Sequence, residues 1–278
     1  MPCSGCATIR TVRLSVVLLG VLLLIPATGY AQDPLGDART FYNNRDYEAA
    51  ERAARLALEV PATANGARVV LGRIHLERYR QTDVPTHLTD ARAALREVDP
   101  RTLEPRERLE LAIGLAETLF LEDRFAAAAD MFAPMLDASL TLGPAAHERV
   151  LDWWATSLDR HAQLRPVSER PAIYARIGRR VEAELRQDPG SAPANYWGVA
   201  AVRGRGDAEG AWSAAMAAWV RAGFGRDRGA ALRADLDRMV LDGIVPDRAA
   251  RLELKDPAAA IAGMVSEWTL FKADWTHR

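Results

Sequence analysis

The feature that most constrains the fold is a helix–turn–helix pattern that recurs from about Phe41 to Trp219. In its clearest copy Leu115 and Ala116 precede Leu119, and a second segment places Ala128 four residues before Phe132. Two short antiparallel helices approach closely where one presents a small residue and the other fills the space with a ring or a leucine. The pattern therefore predicts paired, tightly packed helices.

Four weaker copies flank this one, at 41–61, 71–100, 154–189 and 197–222. Asp46-Tyr47-Glu48-Ala49-Ala50 is the best turn signature among them, whereas the turn of the second copy, near 81–85, is about four residues too long. The spacing of Leu-small, turn and Ala-x-x-x-Phe resembles the tetratricopeptide repeat. The resemblance implies a right-handed α-solenoid of about five helical hairpins.

An all-α fold is predicted from composition as well as from periodicity. Alanine, leucine and arginine dominate, and clusters of β-branched residues are scarce. The apolar spacing between Leu109 and Leu119 is helical rather than alternating. We expect three parts: a leader at 1–31, helical repeats at 32–225, and C-terminal capping helices at 226–278.

The C-terminal part carries its own start and stop signals. A charged helix should run from Asp227 to Val245 and be broken by Pro246. Asp256 and Pro257 are a typical cap and first residue of a last helix, whose apolar stripe includes Trp268. A solenoid needs atypical ends to cover its last core face, so we interpret these helices as a cap, with a separate ligand-binding module as the alternative. Whether the last helix dimerises instead, giving a homo-oligomer, stays open.

The first 31 residues have the organisation of an export signal. Arg10 and Arg13 precede an apolar run from Leu14 to Ile25, and Gly29-Tyr30-Ala31 provides small residues at the cleavage spacing. A membrane span needs about 20 apolar residues, so the run favours a cleaved leader over an anchor. Cys3 and Cys6 precede the run, unlike the acylated cysteine of a lipoprotein signal. We expect export to the periplasm or cell envelope, without a stable membrane span after cleavage.

Charge and motifs argue against several functional classes. The net charge is −1 and no basic stripe stands out, so no nucleic-acid partner is expected. The sequence has no Gly-x-Ser-x-Gly elbow, phosphate loop or His-Glu-x-x-His helix. Its five histidines are far apart along the chain, so we expect no metal, no cofactor and no catalytic residue. The five are His75, His87, His147, His161 and His277.

All seven tryptophans lie between Trp153 and Trp275. Core filling is the preferred interpretation, because large rings fill gaps between irregular helices. Adjacent helical positions diverge by about 100°, so one of Trp153 and Trp154 should be partly exposed. The alternative interpretation is an apolar ligand pocket near Trp154, Trp197 and Trp219.

Function is expected on the groove that the first helix of each tetratricopeptide unit lines. The family's groove-facing positions, transferred residue by residue, are Arg39, Tyr42, Asn43, Arg73, Glu77, Glu117, Phe120, Asp152, Asp159, Asn195 and Arg203. Their mixed charge suits a peptide or protein partner, as in a non-enzymatic scaffold or adaptor. The family's carboxylate clamp is not supported, since Leu35 and Arg39 stand at its first two positions. A small-ligand-binding repeat protein associated with a transporter is the alternative.

Overall fold

The computed structural model describes residues 33–225, 227–252 and 256–276, and the leader predicted at 1–31 lies outside them. The all-α prediction is confirmed, because these residues form helices and no strand. The α-helices are α1 Pro34–Asn43, α2 Tyr47–Leu58, α3 Ala64–Thr82, α4 Pro85–Arg96, α5 Pro105–Leu121, α6 Phe125–Phe132, α7 Met135–Ala138, α8 Pro144–Gln163, α9 Arg170–Gln187, α10 Ala192–Gly204, α11 Ala208–Arg221, α12 Ala230–Met239, α13 Val245–Arg251 and α14 Pro257–Thr276.

Helices that follow one another pack as pairs: α1 with α2, α3 with α4, α5 with α6, α8 with α9, and α10 with α11. The first helices of the pairs also contact one another in order, from α1 through α3, α5, α8 and α10 to α12. Residues 33–278 belong to one unit, so these contacts lie within a single body. One row of helices therefore presents side chains from all five pairs on a shared surface.

The turns within four of the pairs use the same backbone device. Arg45, Asp83, Asp123 and Gly206 each have a positive φ, between 54° and 83°. A left-handed residue after a helix ends it and satisfies its last carbonyl groups. In the first turn the Asp46 carboxylate then accepts a hydrogen bond from the Ala49 amide at 3.0 Å and starts the next helix.

The structure corrects two sequence predictions about helix ends. The turn of the second pair is not extended, because α3 continues to Thr82 and only Asp83 and Val84 separate it from α4. Pro246 does not break its helix either. A π-helical turn at Val240–Ile244 joins α12 to α13, and Pro246 lies in the first turn of α13, where its missing N–H is tolerated.

The cores are built from alanine and large apolar residues, as the small-large pattern predicts. Ala38, Ala50 and Ala54 are fully buried between α1, α2 and α3, and Phe132 is fully buried against α8. At the C-terminal end Trp268 of α14 is fully buried and contacts Trp212 and Trp219 of α11. None of the described helices is both long enough and apolar enough to cross a membrane.

Candidate functional site

Four clefts that share lining residues run along the row of first helices. The first cleft, of about 110 Å³, is lined by Tyr42, Arg73, Glu117, Arg149 and Trp153 among others. The second, of about 430 Å³, shares Arg149 and Trp153 with it and adds Glu77, Phe120 and Asp152. The third shares Arg149 and Asp152 with the second, and the fourth shares Asp159 and Trp197 with the third. We call this continuous surface the run of clefts.

The first cleft contains charged side chains that are largely buried from solvent. Arg73 of α3 places its guanidinium carbon 4.5 Å from the centre of the Tyr42 ring of α1. Its Nε is buried and has no hydrogen-bond partner among the described residues. Glu117 of α5 is only 4 % exposed and lies near Arg73 and Arg149. Arg73 lines the cleft, so its guanidinium is placed to interact with a negatively charged ligand group.

The pKa values in this cleft reflect burial opposed by charge. Burial raises the pKa of the Glu117 carboxyl, and Arg73 and Arg80 only partly counteract it. Burial is also the largest cause of the raised pKa of Tyr42. For Arg73 burial lowers the pKa, yet Tyr42, Glu117 and Glu110 outweigh it and the net shift is upward. Arg73 therefore stays cationic, and the first cleft can hold an anionic group.

The sign of the charge changes along the run of clefts. In the first cleft four arginines, at positions 45, 73, 106 and 149, face two glutamates, at positions 110 and 117. In the third cleft four acidic residues, at positions 148, 152, 159 and 235, face two arginines, at positions 149 and 160. The first cleft thus favours an acidic group and the third a basic one.

Two tryptophans shape the walls between these ends. Trp153 packs edge-to-face on Phe120, with ring centres 4.7 Å apart, and the Arg80 guanidinium lies 4.8 Å from the centre of its ring. Trp197 donates a hydrogen bond from Nε1 to Asp152 Oδ1 at 2.8 Å. Burial raises the pKa of Asp152, and the bond from Trp197 opposes that shift. The bond also fixes the carboxylate where the second and third clefts meet.

Nine of the eleven residues predicted for the groove line the run of clefts. Arg39 does not line it, because its guanidinium pairs with Glu107 at 2.5 Å and approaches Glu110. Asn195 is buried, where it donates to the carbonyl groups of Pro189 and Ser191 and accepts a bond from Arg221. The nine are Tyr42, Asn43, Arg73, Glu77, Glu117, Phe120, Asp152, Asp159 and Arg203.

The three tryptophans of the alternative ligand pocket do not meet around one cavity. Trp154 is 2 % exposed inside the central core. Trp219 belongs to the C-terminal core, where it contacts Trp268. Only Trp197 lines the run of clefts. The interpretation of most tryptophans as core residues agrees with their burial, and the expectation that Trp153 or Trp154 is partly exposed is wrong, since Phe120 and Arg80 cover Trp153.

Sequence reasoning missed several lining residues. Arg149 lies one turn before Asp152 on α8 and borders the first three clefts. Asp235 lies on α12, in the part interpreted only as a cap, yet it lines the third and fourth clefts. The i, i+3 spacing of Arg149 and Asp152 could have identified Arg149 as a groove residue, because residues three apart lie on the same face of a helix. No sequence signal places Asp235 beside α8, because that contact depends on how α12 packs on α10.

A buried polar cluster elsewhere in the fold has the residue types of a nucleophilic triad. His147 Nδ1 lies 2.9 Å from Ser139 Oγ, and its Nε2 lies 2.6 Å from Glu184 Oε1. Ser139, however, is fully buried and donates its hydroxyl to the Leu136 carbonyl oxygen. A substrate could not reach that buried hydroxyl, so we do not interpret the cluster as catalytic. Its hydrogen bonds instead join α8 to α9 and to the segment around Ser139.

No family model, curated protein or solved structure matches the chain. The chemistry of the run of clefts is therefore the basis for inferring function. It offers hydrogen-bonding and ionic contacts of both signs along one surface, an arrangement suited to recognising an extended chain.

Proposed function

We propose that the protein is a non-enzymatic adaptor that binds an extended peptide segment of a protein partner along the run of clefts. The observation that carries the proposal is the change of charge from an arginine-rich first cleft to an acidic third cleft on one continuous surface. A peptide with an acidic residue in the first cleft and a basic residue in the third would pair with both ends. Contacts of both signs give orientation and specificity.

The way the helices pair supports a tetratricopeptide-like build. Five pairs follow one another, and their first helices line the clefts, as the groove of that family implies. We propose the solenoid on these grounds. The apolar run from Leu14 to Ile25 behind Arg10 and Arg13 supports export, so the adaptor would act in the bacterial periplasm or cell envelope.

The charged residues that would anchor the peptide differ in burial, and we assign them different roles. Arg73 is packed on Tyr42 and lines the first cleft, so its guanidinium would contact an acidic peptide group directly. Arg149 is exposed at the border of three clefts and would steer the peptide from solution. At the other end Asp152 is held by Trp197, so a basic group would meet a pre-oriented carboxylate.

The test is a selection of short randomised peptides displayed on phage against the immobilised full chain. Enriched peptides should carry both an acidic and a basic residue, and their affinity is measured by fluorescence anisotropy. Arg149→Glu and Asp152→Lys should each weaken binding by roughly tenfold to a hundredfold, about 1.4–2.8 kcal/mol, because each places a like charge against the peptide.

Exposed positions on α2 provide matched controls. Arg52→Glu and Glu48→Lys make the same charge changes away from the run of clefts and should leave the affinity unchanged. If no peptide is enriched above the background of the bare support, the proposal is wrong. It is equally wrong if the α2 variants weaken binding as much as Arg149→Glu and Asp152→Lys.

A further inference from the structure

The hairpin of α3 and α4 brings together three side chains with metal-ligand chemistry. His75 lies on α3, and His87 and Asp90 lie three residues apart on α4. One ring nitrogen of each histidine and one carboxylate oxygen of Asp90 lie within 4.8 Å of one another. The two histidines are far apart along the sequence, and the short turn at Asp83 and Val84 makes them neighbours.

Both histidines have a ring nitrogen without a partner. Nδ1 of His75 and Nδ1 of His87 are buried and form no hydrogen bond with any described residue. The rings are nearly parallel, with an angle of 24° and 6.1 Å between their centres. Buried polar atoms in folded proteins normally have a partner, so these two imidazole nitrogens remain available to a ligand that the described residues do not supply.

The neighbouring charges identify Asp90 as the available carboxylate. Glu51 on α2 also acts electrostatically on His75, but its carboxylate is already paired with Arg55 and Arg78 at 2.5 Å each. Asp90 is exposed and forms no ion pair or side-chain hydrogen bond with another described residue. It can therefore turn toward the histidines without losing a contact.

We propose that His75, His87 and Asp90 bind one divalent transition-metal ion of the Zn²⁺ type and so clip α3 to α4. Two imidazole nitrogens and one carboxylate oxygen suit Zn²⁺, whereas Mg²⁺ and Ca²⁺ prefer oxygen ligands alone. Three protein ligands leave a position for water on the exposed side of Asp90.

The proposed metal site of His75, His87 and Asp90 is separate from the run of clefts. His75 follows Arg73 by two residues on α3, which turns the two side chains about 200° apart around the helix. None of the three ligands lines the four clefts. The ion would stabilise the second helix pair rather than contact the partner proposed above, so the two proposals can fail independently.

The test uses the full chain without an affinity tag, stripped of metal, and with Cys3→Ser and Cys6→Ser in every variant so that leader thiols cannot bind the ion. Isothermal titration calorimetry with Zn²⁺ should show one equivalent bound. A Zn²⁺ concentration of about one hundred times the Kd should raise the Tm by roughly 5 °C. Excess Mg²⁺ should not displace the ion.

Single substitutions assign the ligands. Asp90→Asn should weaken Zn²⁺ binding at least tenfold, and His87→Ala should abolish it. His161→Ala, which removes a partly buried histidine of α8, should bind as the parent does. Circular dichroism checks that each variant is folded. If His87→Ala does not fold, the test rests on Asp90→Asn, which replaces an exposed residue and should fold. With Cu²⁺ as the probe, electron paramagnetic resonance should show coupling to two nitrogens.

Three results would overturn the proposal. The first is no saturable binding of Zn²⁺ to the parent chain. The second is binding that Asp90→Asn leaves unchanged. The third is a loss of binding in His161→Ala as large as in His87→Ala, which would indicate non-specific histidine contacts.

Discussion

At the scale of residues, the first cleft shows how burial changes groups that the sequence identifies only by type. Tyr42, Arg73 and Glu117 come from α1, α3 and α5, and the sequence places them on one groove only through a resemblance. The structure adds that Glu117 is buried, that Arg73 packs on the Tyr42 ring, and that the Arg73 Nε has no hydrogen-bond partner among the described residues. The strength of an ionic contact depends on that burial.

The raised pKa of Glu117 predicts a pH dependence of stability. Burial is its main cause. Between the ordinary pKa of 4.5 and the raised one, the folded chain holds a proton that the unfolded chain has released, so stability falls as the pH rises through this interval. Glu117→Gln removes the cost of burying the ionised group. It should therefore unfold at a higher urea concentration than the parent near neutral pH.

The difference in the free energy of unfolding between Glu117→Gln and the parent should become smaller as the pH is lowered toward 4.5, where the parent carboxyl is also neutral in the folded chain. Urea unfolding followed by circular dichroism at several pH values measures it. Glu182→Gln, at an exposed position of α9, serves as the control and should follow the parent curve. A Glu117→Gln protein less stable than the parent near neutral pH would show that the electrostatic attraction between Glu117 and Arg73 outweighs the cost of burial.

At the scale of elements, the small-large pattern that predicts helix pairs describes real contacts. Gly72 of α3 faces Leu95 of α4, and a Cβ at position 72 would lie 2.5 Å from the Leu95 Cγ. Leu95 is 1 % exposed, so an added methyl group would press on a buried side chain. Local sequence identifies the small position, whereas only the packed pair shows which side chain fills it.

Gly72→Ala should therefore destabilise the fold even though alanine is the better helix former. Overpacking against Leu95 is expected to cost about 1–3 kcal/mol. A Cβ added at Gly263 of α14 would have no described atom of another element within 4 Å, so Gly263→Ala should gain about 0.5–1 kcal/mol from helix propensity. Chemical denaturation of both variants measures the two free energies, and opposite signs are the expected result. Equal signs would contradict the contact at Leu95.

Helix ends were less predictable than helix pairs. Asp256 and Pro257 start the last helix as predicted, with the Asp256 carboxylate accepting from the Ala258 and Ala259 amides. The predicted break at Pro246 is wrong, because a π-helical turn precedes the proline. A helix cap depends on a few adjacent residues. Whether the helical segment continues past Pro246 depends on the packing of Val240, Ile244 and Val245 in the C-terminal core.

At the scale of the whole molecule, α14 covers the C-terminal core. Trp268 is fully buried, donates a hydrogen bond from Nε1 to Asp237 Oδ1 at 2.8 Å, and contacts the rings of Trp212, Trp219 and Phe271. These contacts agree with the interpretation of the C-terminal helices as a cap. Because α12 also supplies Asp235 to the clefts, the same region contributes to the candidate site.

Removing the Trp268 ring should destabilise the whole C-terminal core. Trp268→Ala is expected to cost about 3–5 kcal/mol, since it leaves a large cavity and Asp237 without that donor. Leu270→Ala, at a 66 % exposed position of the same helix, should change the free energy of unfolding by less than about 0.5 kcal/mol. Thermal and urea unfolding measure both. Similar losses in the two variants would contradict the role of α14 as a cap.

The sequence by itself determined the all-α class and most of the paired helices, because helix periodicity, turn residues and caps act over a few neighbouring positions. The residues expected on the groove came from the resemblance to the tetratricopeptide repeat. The tertiary structure alone decided that Asp235 joins Asp152 and Asp159, that His75 meets His87 and Asp90, and that Glu117 is buried. Those arrangements depend on the rotation and packing of helices that are distant along the chain. The charge pattern of the clefts and the proximity of His75, His87 and Asp90 are therefore consequences of the packing.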